Sequence, residues 1–142
     1  MFELDPRLQR DTYLLGDFPL CRLLLLNDSS YPWFILVPRR AGAREIHHLA
    51  VEDQQQLWRE SAELSRWLEQ NFQYDKLNVA ALGNVVSQLH LHHVARSIDD
   101  RAWPGPVWGA HPAVAYADEK VAAIRKLVQL GDLTEFVFEH ST

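Results

Sequence analysis

Residues 83–96 read GNVVSQLHLHHVAR and contain three of the seven histidines of this 142-residue chain. Polar and apolar residues alternate from Gln88 to His92, which is the pattern of a half-buried β-strand. Because side chains of a strand point to opposite faces in turn, Gln88, His90 and His92 are predicted to share one face. The opposite face is predicted to carry three others: Leu89, Leu91 and His93.

The rest of the chain predicts an α+β fold in which a five-stranded antiparallel sheet packs against helices. The five strands are predicted at residues 11–16, 20–26, 33–37, 76–82 and 87–95. A long helix is predicted at residues 51–72 from apolar residues that recur at helical spacing. A C-terminal helix is predicted at residues 112–130, with a proline near its start and a glycine after its end. Residues 134–139 alternate weakly and are compatible with a further short strand.

Bulk composition limits the classes of function. The 142 residues fit one domain, and 47% hydrophobic with 23% charged residues is ordinary for a globular protein. The formal net charge of −5 argues against a binder of long nucleic acids. The apolar runs, such as residues 23–26, are too short to span a bilayer, and the polar first residues do not resemble a signal peptide. The single cysteine, Cys21, predicts a reducing, cytoplasmic compartment.

Two segments together resemble the histidine triad (HIT) family. Residues 83–96 are similar to its signature, in which three histidines alternate with apolar residues before a basic residue. Residues 34–39, FILVPR, resemble the family's strand that ends in proline and a basic residue. The resemblance covers roughly residues 12–105, and residues 112–142 are interpreted as a helical extension of one HIT-like domain. Gln88 occupies the place of the first triad histidine.

The resemblance implies a nucleotide hydrolase or nucleotidyl transferase that works as a homodimer, without cofactor or metal. His90 takes the place of the family's nucleophile, and His92 the place of the last histidine. Gln88 is expected to orient His90 or to hold phosphate through its amide. Three further residues are predicted to bind the nucleotide: Asn27, Asn84 and Ser87. Trp33 stands where many relatives carry a fourth histidine.

Physical chemistry supports histidine as a nucleophile for phosphorus. An imidazole has an ordinary pKa of about 6.5, so much of it is unprotonated near neutral pH. Attack on an α-phosphate would give a nucleotidyl-histidine, which water then hydrolyses. His92, on the same face as His90, is expected to donate a proton to the leaving group or to bond a non-bridging oxygen.

The sequence leaves two alternative functions open, and it assigns several other residues to the surface or the core. A His-x-His pair with His47 or His48 as third ligand would suit Zn²⁺. A nucleotide-binding module with little turnover would follow if Gln88 marks lost catalysis. The histidines outside the motif are interpreted as surface residues: His47, His48, His111 and His140. The arginines of residues 39–44 are interpreted as a solvated turn, and the tryptophans of the long helix, Trp58 and Trp67, as core.

Overall fold

The structure is a computed structural model that describes residues 1–139, and its centre is a six-stranded antiparallel sheet. The strands are β1 (Thr12–Asp17), β2 (Cys21–Leu26), β3 (Trp33–Pro38), β4 (Lys76–Ala80), β5 (Leu91–Arg96) and β6 (Val137–Phe138). Their order across the sheet is β4-β5-β3-β2-β1-β6. The segments at residues 33–38 and 91–96, which carry the family resemblance, are therefore neighbours in the sheet.

Three helices accompany the sheet: α1 (Pro6–Asp11), α2 (Val51–Asn71) and α3 (Asp118–Leu130). Asp5 caps α1 by accepting a hydrogen bond from the Arg7 amide, which satisfies a donor that has no partner within the helix. A single 3₁₀ turn (Ile46–His48) precedes α2. No helix within residues 1–139 is both long and apolar enough to cross a membrane.

The predicted α+β fold is confirmed, with six strands in place of five. The sixth strand is part of the weakly alternating segment at residues 134–139. It pairs with β1 through Gly16 and Asp17. Gly16 permits this pairing because a Cβ atom there would lie 2.4 Å from the Val137 carbonyl oxygen.

The fifth strand was predicted at residues 87–95, but β5 begins only at Leu91. Its ladder partner β3 ends at Pro38, which has no amide proton to donate. N-terminal to Leu91, the Leu89 amide donates to the Ala43 carbonyl in the loop that follows β3. Gln88 and Ser87 therefore lie in an irregular segment ahead of the strand.

The C-terminal helix was predicted from residue 112, but α3 begins at Asp118. Side chains at the end of β2 hold the preceding segment out of helical geometry. Asp28 accepts from the Val114 amide at 3.3 Å, and Asn27 accepts from the Tyr116 amide at 2.9 Å. Backbone amides that bond to these side chains are not available for a helical turn.

The sheet divides the core into two clusters, one on each face. The larger cluster joins the sheet to α2 and α3, and Trp67 is buried in it. Trp58 was predicted to be core, but 52% of its surface is exposed, because it lies on the outer side of α2. The smaller cluster packs Trp33, Val94 and Val107 together with Leu8 of α1. This second face carries the cavity described next.

Candidate active site

A cavity of about 460 Å³ opens on the face of the sheet that carries His90 and His92. This volume is within the range of small-molecule sites. Its walls are mainly apolar, and its polar lining residues include Asp28, Asn84 and His111. The prediction that His90 and His92 share one side is confirmed, since their ring centroids are 4.8 Å apart.

His90 is oriented by the backbone of the residue that precedes it by two positions. Its Nδ1 lies 2.7 Å from the Gln88 carbonyl oxygen. A carbonyl oxygen can only accept, so Nδ1 must donate the proton. In the neutral imidazole the lone pair is then on Nε2, which is the nitrogen free to act as a nucleophile.

The Gln88 side chain has a different place from the one expected. Its Oε1 accepts from the Asp5 amide and its Nε2 donates to the Glu3 carbonyl, both at 2.8 Å. Both hydrogen bonds tie the N-terminal segment to the residues ahead of β5. The amide is thus engaged with that segment and does not line the cavity, while the orienting contact to His90 comes from the Gln88 main chain.

His92 is held from the other side by Trp33. The indole Nε1–H donates to His92 Nδ1 at 3.0 Å, and both residues are buried. Burial, followed by the neighbouring His90 and His93, lowers the pKa of His92 to about 3. His92 is therefore neutral near pH 7 and carries its proton on Nε2.

His93 lies on the opposite face, as its position in the strand predicted. Its Nε2 is 2.7 Å from the Ser61 hydroxyl of α2, and its Nδ1 is 3.2 Å from the Leu91 carbonyl. Burial lowers the pKa of His93 to about 4. This histidine joins the strand to the helix and has no access to the cavity.

The residues predicted to bind nucleotide divide into two groups. Asn84 lines the cavity. Asn27 does not, because its side chain bonds to the Tyr116 amide. Ser87 opens instead into a separate depression that it shares with His47 and His48.

Sequence reasoning missed two polar residues of the cavity. Asp28, adjacent to Asn27, lines it and is 3% exposed. Its Oδ1 accepts from the amides of Ser30 and Val114. The second is His111, interpreted above as a surface residue. It also lines the cavity and lies 2.7 Å from the Tyr31 hydroxyl. No local pattern distinguishes His111, since the chain returns to the site only through tertiary contacts.

The structure also bears on the predicted surface histidines, the Zn²⁺ alternative and the arginine turn. His47 and His48 are exposed, as predicted, and His140 lies outside the described residues. Among residues 1–139, no group of three or more His, Cys, Asp or Glu side chains is arranged to hold a metal ion. His47 and His48, the third ligands considered for Zn²⁺, line a depression separate from the cavity of His90 and His92. Arg40 pairs with Asp53 on the surface, in agreement with a solvated turn. Arg39 departs from that interpretation, because it is partly buried and donates to the carbonyls of Phe18, Pro19 and Leu20.

Arg96, the basic residue that ends the motif, is almost completely buried. Its guanidinium makes two hydrogen bonds to Asp100, at 2.8 and 3.1 Å, and one each to Asn78 and the Gly105 carbonyl. It also lies 5.7 Å from the centre of the Trp103 ring. These contacts fix the loop that continues to Val107 and Trp108, which form one wall of the cavity.

Comparison with known proteins identifies the family of this chain. The family model of the HIT domain matches residues 7–98, and the chain belongs to this family. No curated protein matches. A solved histidine triad protein from Marinobacter aquaeolei VT8 is 53% identical, with a TM-score of 0.89 over 91% of this chain and 94% of that one.

Two further solved histidine triad proteins have the same fold. The one from Bradyrhizobium japonicum is 44% identical, with a TM-score of 0.88 over 90% of this chain and 96% of that one. The one from Sinorhizobium meliloti 1021 is 40% identical, with a TM-score of 0.88 over 91% and 96%. Membership of the family supports a role in nucleotide binding or in hydrolase or transferase chemistry.

Proposed function

We propose that the protein is a nucleotide hydrolase or nucleotidyl transferase in which His90 attacks the α-phosphate of a nucleotide conjugate. The observation that supports this most directly is the 2.7 Å contact between His90 Nδ1 and the Gln88 carbonyl. It directs the lone pair of the neutral ring to Nε2 beside a second imidazole in an open cavity. A neutral imidazole in that tautomer is ready to form a bond to phosphorus.

The proposed reaction has two steps, formation of a nucleotidyl-histidine and its hydrolysis. First, the Nε2 lone pair of His90 forms a P–N bond while the bond from phosphorus to the leaving group breaks, and the leaving group takes the electron pair. His90 keeps its Nδ1 proton, and the Gln88 carbonyl stabilises the positive charge that develops on the ring. Second, water attacks phosphorus, the P–N electron pair returns to Nε2, and a water proton passes to solvent. In a transferase, an acceptor hydroxyl replaces water.

His92 stabilises the phosphoryl group in both steps. Its Nδ1 accepts from Trp33, so its Nε2–H is the group available to a non-bridging phosphoryl oxygen. A preorganised donor at the place where charge develops lowers the barrier without reorganisation. Of the two roles expected from the sequence, the geometry favours this one.

The remaining cavity residues are suited to contact the base, the ribose and the phosphate of a nucleotide. Apolar and aromatic walls, among them Leu26, Val107 and Trp108, provide a surface against which a base can pack. The Asp28 carboxylate lies in the same cavity and is suited to accept hydrogen bonds from ribose hydroxyls. Asn84 lines the cavity, and we assign its side-chain amide a hydrogen bond to phosphate. Asn27 and Ser87 lie outside this lining and stay less supported as ligands.

A substrate panel with mass detection tests the proposal. Wild-type protein is incubated with adenosine and guanosine dinucleoside polyphosphates and phosphoramidates, and both the product and an adduct on His90 are measured. We expect mononucleotide release and a nucleotidyl adduct, with turnover reduced at least 10³-fold in His90→Ala, roughly the loss seen when a nucleophile is removed. His47→Ala, which removes an exposed histidine outside the cavity, is the matched control. Unchanged turnover in His90→Ala would exclude the proposed nucleophile.

One observation favours a second candidate, a nucleotide-binding module with little turnover. The first triad position holds Gln88, and its side chain is occupied by the N-terminal segment. This candidate predicts nucleotide affinity that survives His90→Asn, with no product from the wild-type protein on any member of the panel. Calorimetric titration with AMP and GMP, run beside the turnover assay, separates the two candidates.

We also propose the homodimer that the family resemblance implies. Strand β4 lies at one edge of the sheet, and Val79 on it is 39% exposed. An open edge with apolar side chains is a template for pairing with a second chain. We expect sedimentation of the wild type as a dimer, and dissociation in Val79→Lys. A wild-type monomer at micromolar concentration would contradict this assembly.

A further inference from the structure

Trp33 and His92 form a hydrogen bond in which the direction of donation is fixed. The indole Nε1 lies 3.0 Å from His92 Nδ1, and the two residues are only 6% and 7% exposed. An indole N–H can donate but cannot accept. His92 Nδ1 must therefore present its lone pair, and the proton of the neutral ring is on Nε2.

The same contact prevents His92 from taking up a second proton at Nδ1. A proton there would point at the indole N–H, so the ring would lose its partner inside an enclosed aromatic site. Trp33 and Trp108 surround the ring, with centroids 5.7 and 5.3 Å away. His92 is consequently a permanent donor from Nε2 and not a reservoir of protons.

We propose that Trp33 is a positioning residue that holds His92 as a neutral hydrogen-bond donor, so that the site selects substrates whose leaving group departs as a stable anion. This inference rests on the function proposed above and narrows its substrate class. Dinucleoside polyphosphates, which release a nucleoside polyphosphate, belong to the favoured class. Phosphoramidates that release an alkylamine belong to the disfavoured one.

The difference follows from the proton balance of the first step. A polyphosphate leaves with the electron pair of the broken P–O bond and needs no proton. An alkylamine needs a proton on nitrogen as the P–N bond breaks. His92 has only its Nε2 proton to give, and loss of that proton would leave a buried imidazolate, which is strongly unfavourable.

The other titratable groups of the cavity do not replace this missing acid. His111 Nδ1 is 2.8 Å from the Pro112 carbonyl, which only accepts, so in the neutral ring Nδ1 carries the proton. His111 Nε2 then accepts from the Tyr31 hydroxyl. Asp28 accepts from two backbone amides through Oδ1. His90 retains its proton against the Gln88 carbonyl.

Paired substrates test the selectivity. Diadenosine tetraphosphate and an adenosine 5′-phosphoramidate of an alkylamine present the same nucleotide with different leaving groups. We expect kcat/KM to differ by about 10²-fold or more in favour of the polyphosphate, since a general acid typically contributes 10²–10⁴-fold. In Trp33→His, which introduces a titratable ring beside His92, the ratio should fall at least tenfold. Trp58→Phe, a change of an exposed tryptophan on α2, should leave it unchanged.

Nitrogen-15 NMR of the histidine rings tests the hydrogen bond without any turnover. In the wild-type protein we expect His92 to show a protonated Nε2 and an unprotonated Nδ1 from pH 5 to 8. In Trp33→Phe, which keeps an aromatic ring and removes the donor, the two tautomers should mix. Because the wild-type spectrum is decisive alone, the test holds even if a variant fails to fold.

These experiments test the role of Trp33 separately from the role of His90 as nucleophile, on which it rests. Equal rates for the two substrates, or a proton on His92 Nδ1 in the wild type, would overturn the role given to Trp33 while leaving His90 as nucleophile. Absence of turnover on both substrates would overturn the proposed function and the selectivity with it. The NMR spectrum would then still show which nitrogen of His92 carries the proton.

Discussion

His93 Nε2 and the Ser61 hydroxyl are 2.7 Å apart in the closed core between the sheet and α2. His93 Nδ1 points to the Leu91 carbonyl, so Nε2 accepts and the hydroxyl donates. This pair connects the strand that carries His90 and His92 to the long helix. One of the three motif histidines is therefore part of the packing rather than of the cavity.

The buried histidines predict a loss of stability in mild acid. The pKa values of His92 and His93 are lowered to about 3 and about 4, so the unfolded chain binds protons first as pH falls. Stability is then fully present above about pH 6.5 and decreases below it, by up to roughly 1.4 kcal/mol per pH unit for each histidine. Urea unfolding midpoints at pH 7, 6 and 5 measure this slope.

The slope should be smaller in His93→Leu, which removes one of the two proton-linked groups. His47→Gln changes an exposed histidine and should keep the wild-type slope. A midpoint that stays constant from pH 7 to pH 5 would contradict the buried, neutral state of both rings.

Gln88→Ala should reduce stability more than activity. The variant loses two 2.8 Å hydrogen bonds to the N-terminal segment, which together contribute about 1–2 kcal/mol at a partly exposed position. Turnover should fall less than tenfold, because a backbone carbonyl orients His90. Thermal unfolding and steady-state kinetics check both parts, with Gln70→Ala on α2 as control. A thousandfold loss of kcat with unchanged stability would give the side chain a direct role in the chemistry.

Arg96→Lys should destabilise the protein by roughly 2–4 kcal/mol, since an ammonium cannot reproduce the forked contacts of a buried guanidinium. Asp100 and the Gly105 carbonyl would each lose a partner. Because the same loop supplies Trp108 to the cavity, nucleotide affinity should fall as well. Chemical unfolding and AMP titration measure the two effects. Arg101→Lys, an exposed change in the same loop, should leave stability and nucleotide affinity unchanged. If Arg96→Lys also leaves both unchanged, the structural role of Arg96 is refuted.

Asp28→Asn should weaken binding with little effect on the chemical step. The amide oxygen can still accept from the Ser30 and Val114 amides, while the negative charge offered to the substrate is lost. We expect KM to rise about tenfold or more, as for removal of one charge-assisted hydrogen bond, with kcat nearly constant. Asp99→Asn, in an exposed loop, serves as control. An unchanged KM would exclude Asp28 from the nucleotide site.

Local patterns along the chain were enough to predict most of the sheet, the long helix and the side shared by His90 and His92. Local periodicity suffices there, because alternation and helical spacing state directly which side of an element is buried. The family resemblance likewise follows from two short segments whose order and spacing are visible in the chain. These are properties of neighbouring residues, and neighbouring residues are what a sequence displays.

Long-range packing determines how His92 is held and which other side chains join the two histidines in the cavity. Gln88 turns to the N-terminal segment, Trp33 donates to His92, and His111 returns to the cavity from a segment packed against Asp28. Each of these contacts joins residues that are more than 50 positions apart. The position of the proton on His92 depends on such a distant partner, whereas His90 is oriented by the backbone carbonyl two residues before it.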